Sequence, residues 1–347
     1  MPGVEPPALV AVTRAGWPES VHRVHIAVCD AAGDLLVAAG DPWRVAFMRS
    51  AAKPLQALPL VESGAAAALA LAPEHLAIAC ASHRGLPLHT AAATALLARA
   101  GLDPGALRCG VHPPEDREAA AALQAAGRAP ERLHNNCSGK HAGMLAAARH
   151  RGWPLEGYME ADHPLQREIA AIVAEVSGAS PALGVDGCGV PTFALPLAAM
   201  ATAFARFGCG RGLAAPRAAA AARLASAMAA HPDLVAGPGH VNSVLLALHG
   251  DALVAKGGAE GVWCTALRGD GPGVGIAVKV GDGADRAAAV AMLAVLEALG
   301  LPGGADPRLD AYRRPVIMNT LGAVVGGLAV ELPAGFGARG QGPAVGA

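Results

Sequence analysis

Strand-type patterns stand at both ends of this chain, with alanine-rich helical patterns between them, and that order is the strongest constraint on its fold. Residues 21–29 and 34–39 flank a turn containing Asp30 and Gly33, as in a hairpin with a four-residue loop. Helical spacing of apolar residues then predicts helices around 53–71, 88–100, 116–126, 143–151, 163–176 and 195–207. Gly101, Pro104, Gly152, Pro154 and Pro181 separate them. Strand patterns return at 244–248 and 252–256, read as a second hairpin across His249, Gly250 and Asp251, and continue at 261–266 and 273–280. A helix over 285–299 and an apolar stretch over 316–330 follow. Terminal strands joining one antiparallel sheet, with helices covering it, predict an α+β fold. Sheet strands are expected from about 8–50 and 240–332, a mainly helical part at about 51–239, one domain over 1–332, and a mobile glycine-rich tail at 333–347.

Composition narrows the function. Of 347 residues, 53% are hydrophobic and 16% charged, which supplies a core and excludes disorder. A net charge of -1 and 3% aromatics give neither the field nor the stacking surface that a nucleic acid needs. The longest uncharged stretch, 187–205, carries Pro191 and Pro196 and reads as a buried element, so no membrane is expected as partner. No signal-peptide pattern opens the chain, and a cytoplasmic location is expected. Seven cysteines, an odd count in a long chain, suit reduced thiols better than a disulfide framework.

Lysine usage points to chemistry. Only Lys53, Lys140, Lys256 and Lys279 are lysines, against 23 arginines. Arginine stays protonated, whereas a buried lysine can become a neutral amine that acts as base or ligand. Ser50 and Lys53 form a Ser-x-x-Lys pair followed by Pro54, three apart and thus on one helix face. This spacing is the signature of active-site-serine β-lactamases and penicillin-binding proteins, in which an adjacent amine activates the serine. A capping serine beside a solvated lysine is the plain alternative. Lys256-Gly257-Gly258 at a strand end is a second candidate, although glycine stands where Lys-Thr-Gly has threonine and no Ser-Asp-Asn element is evident. The polar stretch 133–143, with Cys137, Lys140 and His141, precedes a helix. A second glycine-bounded cysteine is Cys188, after Asp186. Two cysteines do not complete a zinc site, so a third ligand must come from His134, His141 or a neutral Lys140; packed thiols and a nucleophilic cysteine remain open. Residues 76–79 look strand-like, which would place Ser82 and His83 on opposite faces and favour Ser82 acting without its neighbour.

Together these segments resemble the Rhizobium-type L-asparaginases, the asparaginase II family, over nearly the whole chain. Val12-Thr13-Arg14, 49–54 with Gln56, Ser82-His83 with Gly85, 136–144, 186–189 with Pro191, and 258–262 follow the family's order. The resemblance implies a serine-β-lactamase-like fold, a homodimer, and hydrolysis of L-asparagine to L-aspartate and ammonia. It implies catalytic pairs Ser50 with Lys53 and Ser82 with Lys256. Cys137, Lys140 and Cys188 would hold Zn2+, with Asp186 behind them. Arg49, His83, His141, Asp186, Gly257 and Gly258 would contribute to the substrate site. Residues 239–243 and Gly257 depart from the family pattern. The chemistry expected is acyl transfer through an acyl-enzyme on Ser50 in preference to Ser82, a lysine carrying the proton. The alternatives are another serine acyl-hydrolase of the same architecture, acting on a β-lactam, peptide or different amide, and a non-catalytic amide-binding protein with a structural metal. Lys279 is expected to be an ordinary surface charge.

Overall fold

A computed structural model describes residues 6–337. It is a mixed α/β structure with a large antiparallel sheet and packed helices. The strands are β1 (Ala8–Arg14), β2 (Trp17–Asp30), β3 (Leu35–Ala39), β4 (Val45–Phe47), β5 (Ala182–Val185), β6 (Pro191–Pro196), β7 (Leu253–Gly258), β8 (Val262–Leu267), β9 (Val274–Val280), β10 (Val316–Met318) and β11 (Val324–Glu331). The main sheet runs β10-β11-β1-β2-β9-β8-β7, with β3 also paired to β2; a small sheet runs β4-β6-β5. The first and last strands of the chain therefore do meet: β1 pairs with β11, Val10 opposite Val330.

Strand burial follows the side-chain period of two. In β1 the residues Ala8, Val10 and Val12 face the core and their neighbours are only partly covered. Central β9 is buried on both faces. Gly275 there must be glycine, because a Cβ would lie 1.9 Å from the carbonyl oxygen of Ala201 on the covering helix.

The longer helices are α1 (Pro73–Ala79), α2 (Pro87–Arg99), α3 (Arg117–Ala125), α4 (Ser138–His150), α5 (Pro164–Ser177), α6 (Leu197–Cys209), α7 (Ala215–Ala230), α8 (Val241–His249) and α9 (Asp285–Ala298). Helices α6 and α9 pack on β2, β8 and β9, while α1, α2, α4 and α7 form the helical part. Helix α4 is buried from Ser138 to Ala148. It fits against α1 because Gly139 has no side chain; a Cβ would come within 2.2 Å of the Ile78 carbonyl oxygen.

Two strand expectations are corrected. Residues 76–79 belong to helix α1, and 244–248 belong to helix α8, which leads into β7 in place of a second hairpin. The His240 ring caps α8 by accepting a hydrogen bond from the Asn242 N–H at 3.1 Å. The single helix expected over 53–71 is broken into Lys53–Gln56, Leu58–Glu62 and Ala65–Ala68. Pro54 and Pro59 each sit in a first turn, where no hydrogen-bond donor is needed. Strand β6 takes the first two residues, 195 and 196, of the helix expected over 195–207, and α6 begins at Leu197. The tail expected to be mobile lies largely outside the described residues.

Candidate active site

Three segments converge at the end of β7. A 3-10 turn, Arg49–Ala52, carries Ser50 and leads into the helical turn starting at Lys53. Arg49 adopts a left-handed φ of 50°, an unusual conformation for arginine. Its guanidinium is fixed by Asp186, Nε to Oδ1 at 2.8 Å. Strand β7 approaches this turn so closely that a Cβ on Gly258 would lie 2.9 Å from both Ala51 N and Met48 O. The segment after α1 supplies Ser82, whose backbone N–H is committed to Val235 O at 2.9 Å.

Ser82 is the meeting point. The Lys53 amine donates to Ser82 Oγ at 2.9 Å and the Lys256 amine donates to the same oxygen at 2.8 Å. Lys53 also reaches the carbonyl of Asn136 at 3.3 Å. The Ser50–Lys53 contact expected from spacing is not formed, and among the described residues the Ser50 hydroxyl has no hydrogen-bond partner. A lysine stem carries its amine well past a short serine three residues earlier, so Lys53 spans to Ser82. Both amines are buried. Burial, and then the neighbouring Lys53, hold the Lys256 amine well below the ordinary lysine range, which favours the free base.

Ser50, Ser82, Lys256, Gly257 and Gly258 line a cavity of about 300 Å³. Gly257 is explained by Trp263, its partner across the β7–β8 pair: a Cβ would lie 3.1 Å from the indole ring. Asn242 clasps β7 on both sides of Lys256, donating to Ala255 O at 3.1 Å and accepting from Gly257 N at 2.9 Å. The departing segment 239–243 thus supports the strand that carries the lysine.

A second cluster lies at the start of α4. The β5–β6 hairpin tip brings Cys188 to the start of α4, where the Lys140 amine donates to Cys188 Sγ at 3.0 Å. Cys137 Sγ donates to Asn136 Oδ1 at 3.2 Å. Interaction with Cys188 draws the Cys137 thiol well below its ordinary value against the effect of burial, with Lys53 and Lys140 assisting, and pushes Cys188 up. Burial disfavours the Lys140 ammonium, but Cys137 and Cys188 outweigh it and raise its pKa. Two buried thiols lie beside a buried amine; the thiols are soft donors of the kind zinc accepts, and the amine could join them as a third ligand only after losing its proton. No group of three His, Cys, Asp or Glu side chains that could hold a metal gathers among the described residues.

Other expected residues lie outside the cavity. His83 is buried and turned to Ser138 Oγ at 2.9 Å, away from Ser82. His141 Nδ1 contacts the Tyr158 hydroxyl at 2.7 Å, and its Nε2 is buried without a partner among the described residues. Arg49 and Asp186 pair with each other. Lys279, expected on the surface, is half-buried and donates to the carbonyl of Glu260 at 2.6 Å. Sequence reasoning missed Glu115, Trp263 and Asp285, which also line the cavity. Only the position of Trp263 opposite Gly257 was available from strand pairing; the other two reach the cavity from a loop and a helix start.

A family model described as L-asparaginase II matches residues 10–330. The chain belongs to that family. Membership makes it an amidohydrolase at the level of reaction class. No curated protein matches its sequence. Among solved structures, the crystal structure of Mglu is 18% identical over 83% of this chain and 69% of that one, with a TM-score of 0.46. Mglu in its native form in 4.3 M NaCl is 17% identical over 87% and 67%, also at 0.46. No helix among the described residues is long and apolar enough to cross a membrane.

Proposed function

We propose that the chain is an L-asparagine amidohydrolase of serine-β-lactamase-like fold that works through an acyl-enzyme on Ser82. The observation that carries this reading is the convergence of two buried lysine amines on one serine oxygen, 2.9 and 2.8 Å away, at the wall of a small cavity. With Lys256 as the free base, the Ser82 hydroxyl turns its proton to the lone pair of that amine, and Lys256 takes the proton as Oγ bonds to the side-chain amide carbon. Lys53 holds Ser82 Oγ in place through its own N–H. As the C–N bond breaks, Lys256 returns the proton to the leaving ammonia, and water then cleaves the ester by the reverse relay. The Ser82 N–H is already bonded to Val235, so it is not available to the developing oxyanion. The free hydroxyl of Ser50, in the same cavity, takes that role.

Cys137, Lys140 and Cys188 would hold Zn2+, whose contribution when bound is to orient the substrate. Lys140 must lose its proton to ligate, so loading is favoured by rising pH. Substituting Cys188→Ser should remove zinc from the purified protein, measured by elemental analysis. A homodimer and a cytoplasmic setting complete the proposal.

Ammonia release from L-asparagine by purified protein tests the reaction. Ser82→Ala should abolish it, while Ser50→Ala should lower kcat by about 10²–10³-fold, the usual loss for one oxyanion donor. The reverse order would make Ser50 the nucleophile. Hydrolysis of a chromogenic β-lactam without ammonia release from asparagine would overturn the substrate assignment.

A further inference from the structure

Two carboxylates line the cavity, each with one oxygen bonded and the other without a partner among the described residues; of the two, Glu115 is the one tied through Asn136 to the reacting groups. Asp285 starts α9 and accepts the Gly261 N–H at 2.8 Å. Glu115, in the loop before α3, is exposed at the cavity's edge and uses one oxygen, Oε1, to accept the Asn136 amide at 2.6 Å. Its second carboxylate oxygen has no partner among the described residues. Asn136 locks this carboxylate to the reacting groups. Its backbone carbonyl accepts from Lys53, and its N–H donates to His112 Nε2 at 3.1 Å. The Glu115 carboxylate is thereby tied, through one anchored residue, to the lysine that holds Ser82 Oγ.

The remaining titratable groups lining the cavity carry little charge. Lys256 is inclined to the free amine, and burial lowers His240 to about 4. The cavity edge is consequently anionic, although hydrolysis of a plain carboxamide calls for no anion there. An amino-acid amide brings an ammonium a few bonds from the carbon under attack.

We propose that Glu115 receives the substrate's α-ammonium through its free oxygen and so selects amino-acid amides over simple carboxamides. This rests on the amidohydrolase reading above. A charge-assisted hydrogen bond at an exposed cavity edge is worth up to about tenfold in affinity.

The test compares ligands that differ only in the amine. By calorimetry, the wild-type protein should bind L-aspartate more tightly than succinate, by up to about tenfold, and Glu115→Gln should erase that preference. Glutamine keeps an acceptor for Asn136, so a merely structural role would leave the preference intact, and that result overturns the proposal. Equal binding of the two ligands by the wild-type protein overturns it as well. In turnover, Glu115→Gln should raise KM for asparagine with little change in kcat and leave succinamate unaffected. If the aspartate preference is present and lost in Glu115→Gln while asparagine is not hydrolysed, the ammonium site stands and the asparaginase reading fails.

Discussion

At the scale of single residues, the sequence speaks through what it withholds. In a chain that uses arginine almost everywhere, three of four lysines turn out to be buried, two of them on the same serine. What the spacing of Ser50 and Lys53 did not reveal is which serine the amine meets, because side-chain reach across the fold decides that. The depressed pKa of Lys256 gives a directional pH dependence. Activity should be present where ordinary lysines are still protonated and should be lost as pH falls through the Lys256 pKa, read as the acid limb of kcat/KM. Lys256→Arg introduces a cation that cannot give up its proton, so turnover should vanish at every pH. Undiminished activity in that variant would remove Lys256 from the proton path.

At the scale of elements, short apolar runs were the weak point. Residues 244–248 are leucine- and valine-rich and carry no periodicity that separates a buried helix from a strand. The His240 cap and burial of Leu245 and Leu246 decided for helix. The strands that could be read, such as 273–280, were long, bounded by glycine and rich in β-branched residues. Their positioning of the site is sensitive to single atoms. Gly258→Ala would force β7 away from the Ser50 turn, since the new methyl would sit 2.9 Å from Met48 O and Ala51 N. The expected cost is about 1–3 kcal/mol of stability, measured by denaturant unfolding, together with a fall in kcat larger than any change in KM. A variant with wild-type stability and rate would show that the strand and turn are not held in register by this contact.

At the scale of the whole molecule, the helical part is built around buried histidines, and this sets how the fold responds to acid. His83 and His89 are fully buried and stacked with ring centroids 5.0 Å apart. In each, Nδ1 accepts a backbone N–H, from Gly85 at 3.2 Å and Leu86 at 3.1 Å. The Nε2 positions then donate to Ser138 Oγ and Asp233 O, both at 2.9 Å. The neutral rings are thus satisfied on both sides, and a second ring proton would face an N–H donor. Burial, followed by the neighbouring histidine for His83, holds both pKa values below the ordinary one. Above the unfolded value near 6.5 neither state binds the proton and stability is unaffected. Below it, the unfolded chain takes up protons that the folded chain refuses, so stability falls until the folded pKa is reached. Between pH 7.5 and 5.5 the two residues together should cost up to about 3 kcal/mol, seen as a drop in the urea midpoint. His89→Gln should make that slope shallower without abolishing it, since His83 keeps its share, whatever the effect on absolute stability. A midpoint that does not move over this range would mean that the stacked pair opens to water before the fold is lost.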